Sequence, residues 1–102
     1  MAKINLKALS EELGLVYKYD DDLKREYCIF QNIVLIGADQ NNVAYRSEVR
    51  IENHSIVITR TLGFQNDDSH YNELKDTISK LLIDYKEKLI EFRMIELKKD
   101  FE

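Results

Sequence analysis

The chain has 102 residues, enough for one domain with a modest core and too few for two. Its 44% hydrophobic and 33% charged content is that of an ordinary soluble globular protein, and a net charge of −4 with a pI near 5.2 argues against a dedicated nucleic-acid binder, whose phosphate contacts need clustered Lys and Arg. No apolar run approaches the roughly 18 residues of a membrane span and Met1 to Lys7 show no secretory pattern, so the expectation is a cytoplasmic protein with no membrane contact.

In chain order, the first predicted element is a short amphipathic helix from Asn5 to Leu13. Leu6, Leu9 and Leu13 share one face, Asn5 is an N-cap residue, and Gly14 stands where the residue after a helix turns left-handed. The stretch Leu9-Ser10-Glu11-Glu12-Leu13-Gly14-Leu15 resembles the first helix of helix-turn-helix domains. However, Val16-Tyr17-Lys18-Tyr19 reads as a strand and Asp20-Asp21-Asp22 as a turn, which leaves no recognition helix.

From Glu26 the chain is strand-rich. Tyr27-Cys28-Ile29-Phe30 and Ile33-Val34-Leu35-Ile36 flank Gln31-Asn32, which reads as a two-residue hairpin turn, with a bulge in one long strand as the alternative. Both faces of Ile33 to Ile36 are apolar, which predicts a central strand covered on two sides. A hairpin from Val43 to Leu62 follows. A two-residue loop at Glu52-Asn53 pairs Ile51 with His54, Val49 with Ile56, Ser47 with Ile58, Tyr45 with Arg60 and Val43 with Leu62. One face of it is then mostly apolar, and the other, with Arg46, Glu48, Arg50, Thr59 and Thr61, meets water. A four-residue loop is the alternative. Gly63 ends the predicted sheet, and Gln65 to Asp68 lead into the last element, with Asp68 or Ser69 as its cap.

That last element, from about Ser69 to Phe101, reads as one long helix with two apolar stripes. At about 100° per residue, Leu74, Ile78, Leu81, Leu82, Tyr85, Leu89 and Phe92 share a core-facing sector. Ile83, Ile90, Met94, Leu97 and Phe101 form a second sector about 150° away, with charged residues between. Thirty helical residues span about 45 Å, whereas strands of about eight or nine residues reach about 30 Å. The helix is therefore expected to overhang its sheet from about residue 88, and the second stripe to bind a partner: a second copy of the chain, or a foreign protein. A helix that breaks near Arg93 and folds back is the alternative.

Sites with chemistry are sparse. Asp67-Asp68-Ser69-His70 clusters carboxylates with a histidine, but helix capping accounts for the same residues and no further ligand is visible. Asp20-Asp21-Asp22 lacks the spacing and glycine of a calcium loop, and Gly14, Gly37 and Gly63 are isolated, so no phosphate-binding loop exists. Neither His54 nor His70 sits in a nucleophile motif. Cys28, the lone cysteine, lies between Tyr27 and Ile29 and reads as a buried small hydrophobe. No cofactor and no metal are expected.

The expected fold is α+β in two layers: a short helix, an antiparallel meander of four to five strands, and a long helix laid on the sheet. The expected function is a non-enzymatic interaction module, an adaptor, chaperone or inhibitor of the kind phages encode, working through Ile83, Ile90, Met94, Leu97 and Phe101. Tyr17 and Tyr19, on a candidate edge strand, and Arg60, pointing to the apolar face near Tyr45, form a secondary contact surface. A nucleic-acid accessory protein using the Arg46 and Arg50 face is the alternative function. The order of short helix, meander and acidic surface resembles class I secretion chaperones, which are dimeric α+β proteins. That family continues with further strands and a helix, whereas this chain goes from its meander into one long helix.

Overall fold

The computed structural model describes residues 2–100, with side chains up to Lys98. Helix α1 (Leu6–Leu13) is followed by strands β1 (Val16–Asp20), β2 (Arg25–Phe30), β3 (Ile33–Ala38), β4 (Asn42–Glu52) and β5 (Ser55–Gln65), a 3-10 turn (Asp68–His70) and helix α2 (Tyr71–Asp100). The strands form one antiparallel sheet in the order β1-β2-β3-β4-β5, with every strand paired to its neighbour in sequence. Both helices lie on the same face of the sheet, giving the expected two layers.

Local chemistry explains the boundaries. Asn5 Oδ1 accepts the Ala8 N–H at 3.1 Å, and Gly14 closes α1 in the left-handed region at φ 70°, which glycine enters without steric penalty. Asp20 Oδ1 accepts from the Asp22 and Leu23 N–H groups, so the acidic triplet makes the turn between β1 and β2. Gln31 and Asn32 have φ of 48° and 67°, the double left-handed geometry of a type I′ hairpin turn, joining Phe30 to its partner Ile33.

Three expectations are corrected. First, Ile33 to Ile36 is not covered on both sides: Ile33 and Val34 are exposed, while the adjacent Leu35 and Ile36 are both buried. The cause is a bulge. Cys28 pairs with Ile36 but Ile29 with Val34, so Leu35 is an extra residue in β3 and is turned into the core.

Second, the β4–β5 turn is Asn53-His54, at φ 47° and 65°, rather than Glu52-Asn53. Asn tolerates positive φ and Glu does not, and moving the turn by one residue shifts each β4 residue's partner by two, to Val43–Phe64, Tyr45–Leu62, Val49–Ile58 and Ile51–Ile56. The sheet accordingly runs past Gly63 to Gln65. Third, the helix cap is Asp67, not Asp68 or Ser69: its Oδ1 accepts the Ser69 N–H at 3.1 Å and opens the 3-10 turn that leads into α2.

The core is built from Leu6 and Leu9 of α1, Cys28, Leu35, Ile36, Val43, Tyr45 and Val49 of the sheet, and Leu74, Ile78 and Leu81 of α2. Leu82 and Tyr85 pack at its margin, Tyr85 meeting Phe30 edge to face at 5.2 Å and donating to Gln31 Oε1 at 3.0 Å. The two helices are tied at the surface by Glu12, which accepts from Tyr71 Oη at 3.0 Å and pairs with Lys75 at 3.2 Å. The resulting body measures 58 × 27 × 22 Å with a radius of gyration of 15.7 Å, against about 13 Å for a compact domain of this length. The long dimension is that of α2.

Candidate interaction surface

Helix α2 runs alongside β4 in the same direction, from the contact between His70 and Phe64, whose rings stack at 4.5 Å, to a cleft at the hairpin tip where Lys88 and Glu91 face Ile51 and Glu52. Thirty residues at about 1.5 Å exceed eleven strand residues at about 3.3 Å, so the helix outlasts β4 even though β4 is longer than expected. From Arg93 to Lys98 every side chain is exposed.

The helix neither breaks nor folds back: it is continuous from Tyr71 to Asp100. On the side away from the core, Ile83 is 59% exposed, Ile90 61%, Met94 66% and Leu97 57%. Four of the five residues expected to bind a partner are thus brought into line on one face, and Phe101 lies outside the described residues. Ile95, 42% exposed, adds to this surface. Periodicity alone misses it because it lies between the two stripes. Beside the stripe, Glu87, Ile90, Glu91, Met94, Ile95 and Lys98 line a shallow groove with an apolar floor and charged ends.

The secondary residues are scattered. β1 is an edge strand, as anticipated for Tyr17 and Tyr19, yet the two tyrosines differ. Tyr17 packs on the core and donates to Glu26 Oε1 at 2.6 Å, and burial together with that bond pushes its phenol up to about 12; Tyr19 is exposed. Arg60 does not stand by Tyr45, whose partner is Leu62. It lies at the break between the Arg46–Thr61 and Glu48–Thr59 pairs, exposed, with φ at 57° and its carbonyl accepting from Ser47 Oγ at 3.2 Å. Arg46 and Arg50 do share the open sheet face, but Arg50 is held by Glu48 at 3.1 Å and Glu52 at 3.9 Å, which offsets its charge.

A second apolar surface was not anticipated. Val16 pairs with Ile29 and Ile29 with Val34, a row across three strands on the face without helices, in which Val16 and Val34 are exposed. The expectation that β3 is covered on both sides hid it.

Groups with chemical potential are in structural use. Cys28 is fully buried with Sγ 3.6 Å from the Leu6 carbonyl oxygen, and burial pushes its thiol up to about 12, which keeps it protonated at neutral pH. Asp67 caps, and His70 sits between the Phe64 ring and Glu73 Oε2 at 3.4 Å. Among the described residues no group of three or more His, Cys, Asp or Glu is placed to hold a metal ion, and no helix is long and apolar enough to cross a membrane.

No protein-family model, curated protein or solved structure matches the chain.

Proposed function

We propose that the protein is a non-enzymatic interaction module of the cytoplasm, an adaptor, chaperone or inhibitor in kind, which docks through the outward stripe of α2. One observation carries this reading. Ile83, Ile90, Met94 and Leu97 stand exposed in a row on a continuous helix whose opposite stripe is committed to the core from Leu74 to Tyr85. Soluble chains keep contiguous apolar surface small unless something covers it, and a row at helical spacing suits the groove or the face of another helix. The nucleic-acid reading through Arg46 and Arg50 is the weaker one, because Glu48 and Glu52 engage Arg50 and the net charge is negative.

The test is the double variant Met94→Glu, Leu97→Glu. Both side chains are exposed, so the variant keeps the circular dichroism and the melting temperature of the parent within a few degrees. Used as bait against lysate of the source cell, the parent retains a chain, its own or a foreign one, that the variant loses. Identical capture by the two baits overturns the reading.

A further inference from the structure

Resting on the docking surface proposed above, we infer that its occupant is a second copy of this chain, bound by α2 antiparallel to α2 with the two-fold axis between Ile95 and Glu96. The argument comes from spacing and charge. Ile83, Ile90 and Leu97 are seven residues apart, Met94 follows Ile90 by four, and Glu87 stands in the corresponding place after Ile83. This is the alternating spacing of a coiled-coil seam, so the partner that fits is another helix, and the charged positions beside the seam select its direction and register.

The flanking residues on one side are Asp84, Glu91 and Lys98, and on the other Lys86 and Arg93. A parallel pair gains Lys86 against Glu91 at its edge, but it sets Arg93 against Lys98 there and Glu87 against Glu87 within the seam, so repulsions outnumber attractions. An antiparallel pair with Ile90 against Met94 gains Asp84 against Lys98, but it drives Glu87 onto Leu97 within the seam and meets Glu91 with Glu91 and Arg93 with Arg93. Shifted by one heptad, the antiparallel pair sets Met94 against the second copy's Leu97 and Glu91 against the second copy's Lys98, each contact made twice by symmetry. Among the described residues no carboxylate then enters the seam and no like charges face each other. The position is open as well. From Arg93 onward the helix has passed the sheet, and the stripe faces away from it, so two copies overlap tip to tip with their sheets at opposite ends.

Sedimentation equilibrium, taken up to the solubility limit, tests this on the parent and four variants. The parent forms a dimer whose population rises with concentration. Glu91→Lys replaces two attractions with two repulsions and weakens dimerisation by roughly tenfold, and Glu91→Lys combined with Lys98→Glu restores it. In the parallel arrangement the double exchange recovers as well, because Arg93 then meets the carboxylate placed at 98, so Lys98→Glu alone decides the direction: it weakens the antiparallel dimer, where two carboxylates then meet, and strengthens a parallel one. As a second measurement, mixing Met94→Cys protein with Leu97→Cys protein under mild oxidation gives chiefly the mixed disulfide.

A monomeric parent overturns the second copy as occupant, while leaving the docking surface to a foreign chain detected by the capture experiment. A dimer that the double exchange fails to restore, that Lys98→Glu strengthens, or that yields chiefly like-with-like disulfides, overturns the antiparallel register. A dimer that survives Met94→Glu, Leu97→Glu lies elsewhere and overturns both readings.

Discussion

Asn66 illustrates how much one side chain holds. It is 9% exposed, its Oδ1 accepts the Ile4 N–H at 3.0 Å, its Nδ2 donates to the Asp39 carbonyl at 2.8 Å, and its own N–H donates to the Asn41 carbonyl at 3.0 Å. It thereby joins the segment before α1, the β3–β4 turn and the link into α2. The turn it grips is itself set by Asp39, whose carboxylate accepts the Asn41 and Asn42 N–H groups at 2.8 and 2.7 Å, contacts that hold its pKa below the ordinary carboxylate value. Asn66→Ala strands the Ile4 donor and the Asp39 acceptor and is expected to destabilise the fold by about 2 kcal/mol in urea unfolding. A loss within experimental error shows that water takes its place. Nothing in the sequence marks this residue, which reads as one more polar position in a connection, because its partner Ile4 is 62 positions away and no local period registers it. The capping of α1 by Asn5 was legible because donor and acceptor lie within one turn.

At the scale of elements, the two hairpins show where sequence reasoning holds and where it slips. The Gln31-Asn32 turn was found because apolar runs stop on either side of it. The β4–β5 turn was misplaced by one residue because a shift of two in partner leaves every side chain on its face, so the alternation of apolar residues fits both registers equally and turn chemistry alone decides. The bulge at Leu35 was hidden for a related reason: strict alternation assigns adjacent apolar residues to opposite faces, and here one inserted residue brings both inside. β5 also contains a strained position. Arg60 at φ 57° crowds its Cβ against its own backbone, a conformation that costs a non-glycine residue about 1 kcal/mol. Arg60→Gly is expected to raise stability by about that amount, lifting the melting temperature by roughly 4–8 °C. A fall instead indicates that the arginine side chain makes contacts worth more than the strain.

The whole molecule divides along its length into a packed body and a bare rod whose exposed run, Arg93 to Lys98, starts later than the residue near 88 suggested by the ratio of helix to strand length, because β4 is longer than expected and Lys88 and Glu91 still face its tip. Which chain covers the rod was not legible from its apolar pattern, since greasy spacing fits any complementary helix. The division makes the two parts separable. A chain ending at Arg93 loses Met94, Ile95 and Leu97, all exposed, and is expected to keep a cooperative melt within a few degrees of the parent while showing no self-association by light scattering. Loss of the cooperative melt would place tertiary contacts in the removed segment. The order of the strands has a kinetic side. Each strand after the first bonds to the one before it in the chain, through turns as short as two residues, so the sheet can zip from any hairpin outward with small loop-closure entropy at each step. The slow event left to such a chain is clasping its two ends, when the backbone at Ala2 meets Asp68 and Glu12 finds Lys75.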